Sequence, residues 1–338
     1  MSEQINPNVK EKRLKKIPTD EDGKLYMGFI FHVGLYSFFA YDDIISARKR
    51  NIQNGSEWYY QRLMGESRFS KNTINKTQLY HKTFGDDCDY FKAPFYITRE
   101  SIGNWLDLCV RCKARYAIIT AKHHDGFCLW PTQTSNPKSS IDVVQIFKEE
   151  CLKRNLLFGI YYSWYEFSNS MTIKFFNEVC IPQINELLQY SPTFFWFDGD
   201  WVITQKAIIS KLREIVIYIK SLGIYINDRI SRELIEMGSY SVGGLEGKTC
   251  DRAHPKEYRL NWQHINTIGM SWGYNKMQTP NLYKDGKDLM CMYLDTVNLG
   301  GSFLLNLGPK HDGTLDENEV NSIEGFIEIL NTKYYIKN

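Results

Sequence analysis

Short apolar runs of strand length recur along the chain and alternate with segments whose apolar positions fall three and four residues apart. A run that is apolar on both faces fits a buried parallel strand, and the three-and-four spacing fits an amphipathic helix. Eight strand-like runs are read: Met27 to Val33, Tyr116 to Thr120, Leu157 to Ser163, Phe194 to Asp198, Gly223 to Asn227, a weak one near Tyr240 to Gly243, one near Ile265 to Ser271, and Ser302 to Leu307. Helical periodicity is clearest over Ser101 to Lys113, Val143 to Arg154, Ile173 to Leu188, Gln205 to Leu222 and Glu317 to Leu330. Alternation of the two patterns predicts a parallel sheet built from βα units, and eight units fit a (β/α)8-like TIM barrel of about 250 residues plus insertions. The longest insertion runs from Ala40 to Thr98. The sixth run is the weak link in closing the barrel. An open doubly wound sheet is the alternative, although no glycine-rich phosphate-binding turn follows any strand.

In such a sheet the reactive groups gather where strands end. The stretch Phe194 to Trp201 reads Phe-Phe-Trp-Phe-Asp-Gly-Asp-Trp, so Asp198 sits where the chain leaves the core, with Trp196 on the same face at period two. A lone Asp there is most simply a cap or a salt-bridged loop residue. Other ends, however, supply His32, the run Lys122-His123-His124-Asp125-Gly126-Phe127, Tyr161-Tyr162-Ser163-Trp164 and Asn227-Asp228-Arg229. Imidazoles, phenols, indoles, a guanidinium and a carboxylate meeting in one pocket suit a hydroxylated ring, whose hydroxyls they bond and whose apolar faces they stack on.

Composition narrows the partners. The 338 residues are 43% hydrophobic and 24% charged, ordinary for a folded chain with a large core. A net charge of only +2, from 41 basic and 39 acidic residues, sets up no field for nucleic acid or an anionic membrane. Residues 1–24 are polar and charged (Lys10, Lys12, Arg13, Lys15, Lys16), so the domain is expected to span 25–338. No apolar signal core and no bilayer-length run is present, and a cytoplasmic location is expected. Eight cysteines lack framework spacing; Cys109 and Cys112 share a helix face, and all are read as reduced thiols, mostly in the core. Aromatic residues, at 14%, suit sugar stacking and a large core alike.

His123-His124 could suggest a metal. Adjacent strand residues point to opposite faces, so the two imidazoles would not readily share one ion, and no third ligand of suitable spacing accompanies them; neither metal nor cofactor is expected.

The ordered set of motifs resembles family 29 α-L-fucosidases. It comprises Gly28-Phe29-Ile30-Phe31-His32-Val33-Gly34-Leu35-Tyr36-Ser37, Glu57-Trp58-Tyr59, Ala121-Lys122-His123-His124-Asp125-Gly126-Phe127, Gly159-Ile160-Tyr161-Tyr162-Ser163, Trp196-Phe197-Asp198-Gly199, Asn227-Asp228-Arg229, Ser271-Trp272-Gly273-Tyr274 and Leu304-Leu305-Asn306-Leu307-Gly308-Pro309. The resemblance implies a (β/α)8-like barrel, no metal, and hydrolysis of α-L-fucosides with retention. By residue, it implies that Asp198 is the nucleophile and that His32, Glu57, Trp58, His123, His124, Tyr162, Trp196, Arg229 and Trp272 hold the sugar. It leaves the acid/base among Glu246, Asp251 and Glu257, with Asp251 preferred for its context and Glu246 second. The chain departs from the family at Val33, where a Trp is usual, and at Gln263, where many members carry Glu. It ends one helix after the last strand, so a catalytic domain without the family's C-terminal β-sandwich is expected. The expected partner is a fucosylated oligosaccharide or glycoconjugate, and a homo-oligomer is compatible with the sequence. A transfucosidase with a sugar acceptor and a non-catalytic fucose-binding protein are the alternatives.

Overall fold

The structure, a computed structural model, describes residues 14–16, 18, 25–42, 55–64, 89–237, 241–242, 245–246, 248–251 and 262–336. Eight parallel strands form one sheet: β1 (Met27–Phe31), β2 (Tyr116–Lys122), β3 (Leu157–Ser163), β4 (Phe194–Asp198), β5 (Tyr225–Ile226), β6 (Lys248–Asp251), β7 (Trp262–Thr267) and β8 (Gly301–Leu307). They lie in the order β5-β4-β3-β2-β1-β8-β7-β6, which is the cyclic order of a (β/α)8 barrel with a seam between β5 and β6. Every ladder in this sheet is parallel.

Helices α1 (Arg99–Arg111), α2 (Val143–Lys153), α3 (Ile181–Leu188), α4 (Lys206–Ser221), α5 (Gly286–Asn298) and α6 (Glu317–Asn331) are the long ones among the described residues. Their starts obey capping chemistry: Thr98, Asp142, Asp285 and Asp316 each accept from a backbone N–H of the first turn, satisfying a donor the helix leaves open. The expected helix over 173–188 forms in three segments, α-helical at each end with a π-helical segment Phe176–Cys180 between them, just before Pro182, whose missing N–H removes one rung of the ladder. Helix α5 went unread in the sequence. It crosses α6 where Gly286 meets Gly325, and a Cβ on Gly286 would lie 2.2 Å from the Gly325 carbonyl carbon.

Two strand readings are corrected. The strand before β7 is Lys248–Asp251, whose polar sequence carries no apolar signal; the weak run read at 240–243 instead gives Ser241–Val242, paired antiparallel with Leu245–Glu246 outside the main sheet. Strand β7 starts at Trp262 and ends at Thr267, ahead of the range read from Ile265 to Ser271. Within the segment read as merely polar, Leu14–Lys16 pairs with Tyr334–Ile336, and the Tyr293 hydroxyl donates to the Pro18 carbonyl at 2.6 Å.

Period-two alternation divides the core. Ile30, Tyr116, Ile118, Tyr161, Phe194, Trp196, Ile265 and Leu304 pack inside the barrel. Their neighbours Phe29, Phe31, Ala117, Ile119, Ile160, Tyr162, Phe195 and Phe197 pack outward, against the helices. Tyr116 fills the space opposite Gly28, where a Cβ would come within 2.2 Å of its ring. This alternation decides which face of each strand end reaches the cavity.

Candidate active site

At the carboxyl ends of the strands lies a cavity open to solvent. Asp198 closes β4 on the inward face, two residues after Trp196, and both line it. Gly199 turns the chain away at φ 77°, a left-handed conformation that favours glycine, and a Cβ there would strike Tyr165 at 2.6 Å. The turn delivers Trp201 to the rim, 46% exposed, with its ring 5.5 Å from that of His124.

The Asp198 carboxylate is held on both oxygens. Arg229, three residues beyond β5, donates from Nη1 to Oδ1 at 2.8 Å, and the Tyr161 hydroxyl donates to Oδ2 at 2.8 Å. His124 Nε2 lies 3.7 Å from Oδ2. Burial alone would raise this carboxyl, but the Arg229 guanidinium, with the Tyr161 hydroxyl, outweighs it and holds the pKa below the usual value. The group is therefore an ionised, largely buried carboxylate at the cavity wall. Arg229 also lies over the Trp196 ring at 5.2 Å, and the Tyr161 ring stacks on that indole at 5.5 Å.

His32 follows β1, whose ladder extends through its N–H to the Leu307 carbonyl at 2.9 Å. His123 and His124 follow β2 directly. Burial lowers the pKa of His32 and of His124 to about 4 each, and lowers that of His123 well below the ordinary value, so all three rings are neutral at physiological pH. The opposite-faces argument for the histidine pair is overturned. The strand ends at Lys122 after a register shift, both rings line the cavity, and their centroids are 4.1 Å apart. Among the described residues no group of three His, Cys, Asp or Glu side chains could hold a metal.

Glu57 and Trp58 reach the cavity from the long insertion, on the turn Ser56–Trp58. The turn is pinned to the chain after β7: Ser56 N donates to Ser271 Oγ at 2.9 Å, while Glu57 Oε2 accepts from Gly273 N at 3.1 Å and Ser271 Oγ at 3.2 Å. Trp272, between those two anchors, also lines the cavity. Nine of the expected residues, His32, Glu57, Trp58, His123, His124, Trp196, Asp198, Arg229 and Trp272, thus meet in one cavity.

Tyr162 does not join them. It faces outward, fully buried, with its hydroxyl donating to Gln183 at 2.8 Å, and the inward tyrosine is Tyr161. Trp201 and Ile265 line the cavity without having been expected there, and Tyr161, read only as part of a strand end, would have been singled out by period two from Gly159. Val33 packs in the outer core and its N–H donates to Thr120 Oγ1, so that departure lies away from the cavity wall. Gln263 accepts from Trp196 Nε1 at 2.9 Å and donates to the Tyr116 hydroxyl at 2.9 Å, a double role that a carboxylate could not fill. Asp251 and Glu246 are described in backbone only, and Glu257 lies outside the described residues.

The family profile described as "Alpha-L-fucosidase" matches residues 1–333. The chain is 26% identical to the alpha-L-fucosidase of Dictyostelium discoideum over 95% of its own length and 71% of the relative's. It is 27% identical to the tissue alpha-L-fucosidase of Rattus norvegicus, over 85% of this chain and 63% of that one, so it spans less than two thirds of the rat protein. Among solved structures, the alpha-fucosidase of Thermotoga maritima superimposes with a TM-score of 0.71 at 27% identity, over 94% of this chain and 74% of that one. The same bacterial enzyme in complex with a mechanism based inhibitor gives a TM-score of 0.74 at 26% identity, over 91% and 72%.

Proposed function

The chain belongs to the alpha-L-fucosidase family, and on that premise we propose that it releases terminal α-linked L-fucose from oligosaccharides or glycoconjugates by double displacement, with retention. The observation that carries the reading is the Asp198 carboxylate, kept ionised at the cavity by Arg229 and Tyr161. An ionised carboxylate is the state a nucleophile needs, and the flanking indoles and neutral imidazoles suit the faces and hydroxyls of one hexose ring. Asp198 attacks the anomeric carbon, the bond to the leaving oxygen breaks, and an acid delivers a proton to that oxygen. Water, deprotonated by the same group, then releases the sugar. The two carboxyls of retaining enzymes stand about 5 to 5.5 Å apart. Asp251 is assigned as the acid/base and Glu246 is the second candidate. The pairing of Asp251 with Ile265, a residue of the cavity wall, supports the first.

Azide separates the roles. Asp198→Gly opens a hole on the β face of an aryl α-L-fucoside, and azide entering it should give the β-fucosyl azide. With Asp251→Gly the fucosyl-enzyme still forms from a good leaving group but breaks down slowly, and azide, which needs no base, should restore the rate and give the α-fucosyl azide. If Asp251→Gly behaves as wild type and Glu246→Gly gives the α-azide instead, the acid/base assignment moves to Glu246. No turnover of any fucoside by the wild-type protein would overturn the reading as a whole.

A further inference from the structure

The cavity histidines differ in what stands behind them. The carbonyl of Trp272 can only accept, so its 2.7 Å contact with Asn306 Nδ2 is a donation from the amide, and this fixes which way the amide faces. Asn306 Oδ1 is thereby turned to His32 Nδ1 at 2.5 Å. An amide oxygen also only accepts, so the ring proton of His32 sits on Nδ1 and Nε2 carries a bare lone pair. Asn306 is fully buried on β8, next to Leu307, whose carbonyl takes the His32 N–H, so no water competes for the arrangement.

His124 is ordered by the same logic. Ser163 Oγ donates to the Tyr165 carbonyl at 2.7 Å and must therefore accept at its 2.6 Å contact with His124 Nδ1. Nε2 of His124 then faces Asp198 Oδ2 at 3.7 Å, two acceptors that a hydroxyl hydrogen between them would reconcile. His123 has no such relay, because its buried Nδ1 has no hydrogen-bond partner among the described residues.

We propose that Asn306 is a positioning residue that holds His32 as an Nε2 acceptor, so that this wall of the cavity reads the hydrogen of a sugar hydroxyl. For the identity of the ligand the proposal rests on the fucosidase reading; for the tautomer it rests on the relay alone. The same amide links two parts of the wall, since the His32 and Trp272 rings lie 5.4 Å apart. The charged and titratable groups facing His32 are Asp198 on β4, His123 and His124 after β2, Tyr161 on β3 and Arg229 after β5.

The test begins with the tautomer itself. In wild-type protein labelled with 15N-histidine, long-range proton–nitrogen correlation near neutral pH should show His32 protonated at Nδ1 and bare at Nε2. Seven histidines are present, and His32→Gln identifies the signal. The opposite tautomer overturns the proposal, and this measurement needs no variant at Asn306 to fold. Asn306→Asp then puts a carboxylate against Nδ1 and loses the donor to the Trp272 carbonyl. The His32 midpoint should rise by about one to three units. In step with it, kcat/KM for an aryl α-L-fucoside should fall on the acid side, through KM more than kcat. A folded Asn306→Asp protein with an unmoved His32 midpoint, or with activity that ignores the midpoint, also overturns it. If His32 has the stated tautomer but wild-type protein cleaves no fucoside, the positioning role stands and the fucosidase reading fails.

Discussion

Tyr161→Phe is the most direct probe of how Asp198 is kept ionised. The substitution removes one hydroxyl and leaves the ring that stacks on Trp196. Asp198 loses the 2.8 Å donation to Oδ2 and keeps the Arg229 contact on Oδ1. A hydrogen bond to a charged acceptor contributes about 1.5 to 3 kcal/mol. At about 1.36 kcal/mol per pKa unit, the carboxyl should rise by about one to two units. The sign is fixed: the lost donor favoured the ionised form, so the variant takes up its proton at higher pH. In the free enzyme the acid limb of kcat/KM reports that event. Measured with an aryl α-L-fucoside, this limb should move up by about one to two units while the alkaline limb, set by the acid/base, stays in place. A uniform drop in kcat/KM at every pH, with the acid limb unmoved, would refute the argument that Tyr161 acts through the charge of Asp198.

Lys122 and Glu166 form a buried ion pair at 2.6 Å and tie the end of β2, which carries His123 and His124, to the loop after β3. Lys122→Met strands the Glu166 charge and should destabilise by about 3 to 5 kcal/mol in urea unfolding. The double variant with Glu166→Gln should recover much of the loss, and a double variant no better than the single would contradict the account. Glu319, buried behind Gly308 N at 3.3 Å, has its pKa pushed to about 8 by burial, against an ordinary 4.5. Because the folded state holds this proton longer than the unfolded chain, the contribution of Glu319 to stability is fully present below pH 4.5 and is lost as pH rises to about 8. Glu319→Gln should remove that slope and raise the urea midpoint at pH 8; an unchanged slope would exclude Glu319 as its source. Prolonged chelation with EDTA should leave fucosidase activity intact, and loss restored by one divalent ion would reassign the histidines as metal ligands.

What the sequence determined by itself came from patterns that depend only on local chemistry. Runs such as Phe194 to Asp198 must be buried strands because no face of them tolerates water, and Asp198 therefore had to sit at a strand end. His32, His123, His124 and Arg229 were legible for the same reason, as polar residues just past apolar runs, whereas Trp58 and Trp272 came only through the resemblance to family 29 α-L-fucosidases. Tertiary structure decided the rest. Lys248–Asp251 becomes a strand because β7 offers it an open edge, not because its own residues favour one. Tyr161 reaches Asp198 and Tyr162 does not because the register of β3 between β2 and β4 chooses which face is inward, and a one-residue change would exchange them. Glu57 comes to the cavity through bonds to Ser271 and Gly273, more than two hundred residues along the chain. The direction in which His32 presents its proton depends on Asn306 and the Trp272 carbonyl, groups that only the closed sheet brings together, since hydrogen-bond sense passes through space and leaves no trace in spacing along the chain.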